Sequence, residues 1–232
     1  MYRLLLWVAT AVPACGSDSA GQDAALRVLF VGNSLTYSND LPGMLERMGL
    51  ADGRPIEAVS VSRGGIALED HWSIGSSRDR LDAGGWDVVV LQQGPSSLPE
   101  SREHLVRWAG IWAEAIRAAG ATPALYMVWP ARARLDAFPD VIVSYRTAAE
   151  EARADLYRAG EAWQAAWSID ADLPLYDRDD FHPSVMGSYL AALTIYRGLT
   201  GRAPPSLTGL GISVEDDAVL QAAAASVPSI RR

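Results

Sequence analysis

Leu26-Arg27-Val28-Leu29-Phe30-Val31-Gly32-Asn33-Ser34-Leu35-Thr36 decides how this chain folds. Residues 26–31 are an almost unbroken apolar run, the pattern of a strand covered on both faces. The run ends at Gly32, so a turn delivers Ser34 at the strand's C-terminal exit. Asn39, Asp40 and Pro42 then open a helix over 41–48, closed by Gly49 and Gly53. The same alternation continues outward. A second strand spans 55–61 and ends at Arg63-Gly64-Gly65. A third, Trp86 to Leu91, leads into Gln92-Gln93. A helix from Pro99 to Ala119 precedes a strand over 122–129. Helix 139–153, a short strand 155–159 and helix 184–200 follow, and 214–225 suits one more helix. Apolar strands separated by helices predict an α/β fold, a three-layer α/β/α sandwich with a mostly parallel five-stranded sheet. In such sheets sites form outside the strands' C-terminal ends. Ser34, Gly64-Gly65 and Gln92-Gln93 all fall there.

Far along the chain, Asp179-Asp180-Phe181-His182-Pro183 places a carboxylate three residues before one of only three histidines. A serine on a strand exit and an Asp/His pair on a distant loop are what nucleophilic acyl chemistry requires. The serine attacks, the imidazole takes its proton, and the carboxylate fixes the imidazole's tautomer. Asp177 and Asp180 are competing carboxylates, and the spacing favours Asp179. His104 sits early in a predicted helix, as a solvated residue does. Once His182 is placed with Ser34, no His/Cys/carboxylate set of zinc spacing remains, so neither a metal nor a cofactor is expected. No phosphate-binding glycine loop and no Gly-x-Ser-x-Gly elbow occur.

The formal net charge of -8 gives no basic patch for nucleic acid. Residues 4–12 form an apolar run of signal-peptide length, too short for a membrane span. It ends at Val12-Pro13-Ala14-Cys15 and is followed by a polar linker over 16–25. Residues 1–15 resemble a bacterial lipoprotein signal, which implies lipidation of Cys15 and attachment to a membrane through that anchor alone. The alternative is a plain secretory signal. Either way the chain is expected to be exported: anchored in the bacterial cell envelope, or else periplasmic or secreted. Cys15 is the only cysteine, so no intramolecular disulfide can form.

Over 26–201 the chain resembles the SGNH, or GDSL-like, hydrolases, and 26–232 is read as that domain, with the flavodoxin-like sheet the family implies. Gly32-Asn33-Ser34-Leu35 stands where the family has Gly-Asp-Ser-Leu. Gly64-Gly65 stands where it uses a glycine amide, and Asp179 to His182 matches its Asp-x-x-His. The resemblance implies Ser34 as nucleophile, His182 as general base and acid, and Asp179 as its partner. The oxyanion hole would use the backbone N–H groups of Ser34 and Gly65, or Gly64. The third block departs: Gln92-Gln93-Gly94-Pro95-Ser96 contains no asparagine, and a glutamine amide can do that work. Gln93 is favoured and Gln92 is the alternative. Asn33, His71, Trp72 and Trp129 are candidates to line the substrate crevice, with Trp129 placed to stack on a sugar ring; core packing is the plainer reading of Trp129 and His71. The expected activity is hydrolysis of a small or polysaccharide-borne ester, short-acyl or O-acetyl, through an acyl-enzyme. A lipase or thioesterase on the same scaffold, or a non-catalytic carbohydrate-binding lipoprotein, are the rival readings.

Overall fold

The computed structural model describes residues 24–229 and Arg231. The apolar N-terminal run, Cys15 and most of the linker lie outside the described residues.

Five parallel strands form one sheet in the order β2-β1-β3-β4-β5. They are β1 Leu26–Gly32, β2 Ile56–Ser62, β3 Val88–Leu91, β4 Thr122–Tyr126 and β5 Asp155–Tyr157. Val28 to Val31 of β1 pair with β2 on one side and β3 on the other, and all four are fully buried. That double coverage is why β1 reads as an apolar run without alternation.

The helices are α1 Ser34–Tyr37, α2 Leu41–Ala51, α3 Leu68–Ile74, α4 Ser76–Asp82, α5 Pro99–Ala118, α6 Phe138–Glu151, α7 Ala159–Ile169, α8 Val185–Thr200 and α9 Val214–Ser226. α2, α7, α8 and α9 contact one another in one layer, and α3, α5 and α6 form the other. The first crossover runs from β1 outward to β2, and the later ones run the opposite way. The strand order therefore reverses between β1 and β3, and a crevice opens at their C-terminal ends. The segments leaving β1 and β3 carry Ser34 and Gln92-Gln93.

α3, α4 and α7 add to the elements expected from sequence. α7 contains Gly160, an unfavourable helix residue. It is there because a Cβ would lie 2.3 Å from the Val128 carbonyl oxygen, where α7 crosses the end of β4. β4 is shorter than expected. Its pairing with β5 ends at Tyr126, and Trp129 turns away to stack face to face on Trp163, ring centroids 3.5 Å apart.

Candidate active site

Ser34 is the first residue of α1 and is half-buried. Three bonds hold its neighbours. Asn33 caps α1, its side-chain oxygen accepting the Leu35 N–H at 3.1 Å. The Asn33 N–H donates to Gln92 Oε1 at 2.9 Å. The Thr36 hydroxyl donates to the same oxygen at 2.8 Å. Gln92 in turn donates its amide to the Gln93 carbonyl at 2.6 Å. Gly32 makes this convergence possible: a Cβ there would lie 2.3 Å from Thr36 Oγ1 and 2.7 Å from Gln92 Oε1. Gln92 and Thr36 are completely buried, so the β1 exit is tied to the β3 exit by a dry polar knot.

The segment after α7 brings the second half of the site. Ser34 Oγ lies 2.8 Å from His182 Nε2, and His182 Nδ1 lies 2.5 Å from Asp179 Oδ2. With Asp179 ionised, Nδ1 is the donor and Nε2 is left to accept the serine proton. The other Asp179 oxygen accepts the backbone N–H groups of Phe181 at 3.1 Å and His182 at 2.9 Å. The His182 ring first, then these backbone donors, pull the Asp179 carboxyl down to about 2. The competing carboxylates are engaged elsewhere. Asp180, with φ +57°, turns away and pairs with Arg132 Nε at 2.8 Å. Asp177 accepts the Arg178 N–H at 2.8 Å.

Gly64 and Gly65 are exposed and lie beside α1. A Cβ on Gly64 would meet the Tyr37 hydroxyl at 3.1 Å, and Asn33 Nδ2 donates to the Ile66 carbonyl at 3.3 Å. Gly65 needs its lack of side chain for a φ of +75°. The backbone N–H groups of Ser34, Gly64 and Gly65 have no acceptor among the described residues. Gln93 is buried. Its Oε1 accepts the Leu68 N–H at 3.3 Å and its Nε2 donates to Ser96 Oγ at 3.0 Å. Tyr145 fixes the same turn, its hydroxyl donating to the Gln93 carbonyl at 2.6 Å, and burial pushes that phenol's pKa up. Of the two glutamines, Gln92 has its carbonyl oxygen in the knot under Ser34. Each amide nitrogen makes one donation among the described residues and keeps a second hydrogen, and only the Gln93 amide lies outside the knot.

No protein-family model matches the chain, and no curated protein does either. Among solved structures, it is similar to a protein from Slackia heliotrinireducens assigned to the SGNH hydrolases. The two share 30% identity and a TM-score of 0.66 over 75% of this chain and 99% of that one. The chain belongs to the SGNH hydrolase family. Two other solved structures share the fold at lower identity. A DUF4886 family protein from Bacteroides uniformis has a TM-score of 0.74 at 20% identity over 87% of this chain and 94% of its own. A variant of an acetyl-xylooligosaccharide esterase from Geobacillus has 0.58 at 15% over 78% and 97%.

The four crevice candidates in this SGNH hydrolase are each held by contacts within the protein. His71 is 2% exposed. Its Nε2 lies 2.7 Å from the Gly32 carbonyl, which can only accept, so Nε2 carries the proton and Nδ1 accepts from Ser77 Oγ at 2.8 Å. Burial lowers its pKa and keeps it neutral, a structural tie on the β1 exit. Trp72 packs edge-on against Trp112 at 5.2 Å, with the Arg78 guanidinium over its ring at 5.1 Å. Trp129 is fully buried and cannot stack on a sugar. Its indole N–H instead donates to the Phe181 carbonyl at 3.2 Å, inside the Asp179–His182 segment. Asn33 is 8% exposed and serves as a cap rather than as a crevice wall.

Several supporting residues were not singled out from sequence. Arg132 donates its N–H to the Asp180 carbonyl at 2.8 Å, and the Tyr176 hydroxyl donates to the Pro130 carbonyl at 2.6 Å. Together with Trp129 they strap the Asp179–His182 segment to the β4 exit. Asn39 donates to the Pro183 carbonyl at 2.9 Å, joining the segments of Ser34 and His182. Among the described residues no group of three or more His, Cys, Asp or Glu is placed to hold a metal ion.

Proposed function

We propose that the chain is a serine esterase that cleaves carboxylic esters through an acyl-enzyme. The observation that carries this reading is the continuous chain Ser34 Oγ, His182 Nε2, His182 Nδ1, Asp179 Oδ2, with spacings of 2.8 and 2.5 Å. Ser34 Oγ bonds to the ester carbonyl carbon as its proton passes to His182 Nε2. Asp179 stays ionised and holds the imidazolium that forms. The carbonyl oxygen becomes an oxyanion and accepts from the Ser34 and Gly65 N–H groups, with Gly64 as the alternative, and from the free amide hydrogen of Gln93. The tetrahedral adduct collapses, the C–O bond to the alcohol breaks, and His182 returns its proton to the departing oxygen. Water then attacks the acyl-enzyme by the same path and releases the acid.

The site is open, with Asp179, Gly64 and Gly65 exposed and Ser34 and His182 half-buried. An open site suits an ester whose alcohol is too large for an enclosed pocket. The substrate class in this reading is therefore a short acyl group, such as acetyl, on a polysaccharide. The relative named for acetylated xylo-oligosaccharides supports this class. Export and a lipid anchor at Cys15 belong to the same proposal and rest on residues 1–15. Mass spectrometry of the mature protein checks them, and an unmodified Cys15 rules the anchor out. The activity is tested with p-nitrophenyl esters of rising acyl length. Turnover that favours acetate and disappears in Ser34→Ala supports the reading. Undiminished turnover in Ser34→Ala overturns it, and a preference for long chains replaces it with a lipase.

A further inference from the structure

Trp129 is buried, but it begins an aromatic series that reaches the surface. It stacks on Trp163, which meets Trp167 edge-on at 5.6 Å. Trp167 in turn lies 5.6 Å from Tyr176 and 6.4 Å from Phe138. Trp167 itself is only half-buried. It forms a shared wall, with Leu135, between two adjoining hollows of about 370 Å³ and about 290 Å³. Arg132, Asp172 and Tyr176 line the first, and Gln164 and Ser168 line the second.

We propose that these hollows form one glycan-binding groove, receiving the sugar units that flank the acylated one; this rests on the esterase reading above. A pyranose has an apolar face of C–H groups and a rim of hydroxyls. Its site needs a flat apolar platform with charged or amide groups around it. Trp167 is such a platform. Its indole N–H is held by the Leu173 carbonyl at 3.1 Å, and three aromatic rings fix its orientation before any ligand arrives. A preorganised ring loses little entropy on binding. Arg132, Asp172, Gln164 and Ser168 are the polar rim. Arg132 and Ser168 already bond within the protein, but the Asp172 carboxylate and the Gln164 amide have no side-chain partner among the described residues, and an acyl chain would offer them none, so the lining favours a sugar.

The position of the groove also matters. Arg132 binds Asp180 through both its backbone and its guanidinium. Tyr176 bridges to Pro183, next to His182. Two residues of the groove wall, Arg132 and Tyr176, are thus bonded to the segment that carries Asp179 and His182. A glycan lying over Trp167 and Arg132 would extend toward that segment.

The test begins with binding, which does not depend on turnover. The full chain carrying Ser34→Ala is titrated with xylohexaose, cellohexaose and chitohexaose by calorimetry and by tryptophan fluorescence. At least one should bind, and Trp167→Ala or Asp172→Asn should each weaken it about tenfold or more. Asp172 is exposed, so a folded Asp172→Asn protein keeps the test decisive if Trp167→Ala loosens α7. In the active protein the same changes should raise KM on acetylated oligosaccharides of the sugar that binds. kcat/KM on p-nitrophenyl acetate, which is too short to reach the groove, should stay within about twofold. Failure of all three hexasaccharides to bind a protein that hydrolyses p-nitrophenyl acetate overturns the groove alone. Binding without any esterase activity keeps the groove and removes the esterase reading. A Trp167→Ala penalty that grows with acyl length makes the groove an acyl channel and defeats the proposal.

Discussion

The two sides of Ser34 are built in opposite ways. On one side, the Asp179 and His182 side chains are 53% and 35% exposed. They are held by short local bonds and by backbone straps from the β4 exit. On the other side, Gln92 and Gln93 are buried, and the Gln92 amide is engaged at both ends. The proton transfer proposed above needs groups that can meet substrate and water, and Asp179 and His182 lie where solvent reaches. The serine's backbone must not move, and the groups that hold it are dry. The contrast separates activity from stability. Changes on the exposed side should cost rate and little fold. Changes in the buried knot should cost fold.

The largest expected effect lies on the exposed side. Ser34→Ala and His182→Ala should each lower kcat by up to about 10⁶, and the double variant should add little because the groups act as one unit. Asp179→Asn should lower kcat by up to about 10⁴, because an amide leaves the imidazole in the wrong tautomer. Asp177→Asn and Asp180→Asn should be mild beside it, since their carboxylates are engaged elsewhere. Steady-state kinetics on folded proteins checks all six. A larger loss at Asp180 than at Asp179 would move the carboxylate assignment.

Gln93 sharpens the comparison, because it is buried like Gln92 but stands outside the knot that ties Asn33 and Thr36, with an amide hydrogen still to give. Gln93→Ala should lower kcat by about 10²–10³ with little change in KM, the effect of removing one oxyanion donor. Gln92→Ala should act differently. It deprives the Asn33 N–H and the Thr36 hydroxyl of their common acceptor in a fully buried place. Each orphaned donor costs about 1–3 kcal/mol of stability. Denaturant melts should therefore show a lower midpoint for Gln92→Ala. If Gln92→Ala instead stays stable and loses rate at constant KM, the two glutamines exchange roles.

The sheet was legible in the sequence because buried parallel strands have no solvent face and so read as apolar runs. Asp179 and His182 were legible as a pair because three residues of local chain join them. That Ser34 meets His182 across 148 positions is beyond any local pattern, and here it rested on family resemblance. The crevice walls were the hardest part. Trp129 and Trp167 are the same residue type, and only the packing of α7 decides that the first is buried and the second half-open. α7 was not among the elements expected from sequence, and its Gly160 is explained only by the Val128 carbonyl packed against it. His71 stood after the glycine turn as a crevice candidate, with core packing the plainer reading, and the structure buries it. Its burial depends on Ser77 and Gly32, which tertiary contact brings to it.

The smallest expected effect is the stability contributed by Asp179, and its sign follows from its pKa. The folded-state value of about 2 lies below the ordinary carboxylate value, so ionised Asp179 favours the fold. That contribution is complete above about pH 4 and is lost as pH falls toward 2. Because the side chain is 53% exposed, solvent screens the interaction and the contribution stays small. Asp179→Asn should thus shift the denaturation midpoint far less than Gln92→Ala at neutral pH. The gap between Asp179→Asn and the parent protein should narrow further in acid. Denaturant titrations at about pH 7 and about pH 3 measure both differences. An Asp179→Asn protein as unstable at neutral pH as Gln92→Ala would mean that the exposed side carries the fold too, and the division between the two sides of Ser34 would not hold.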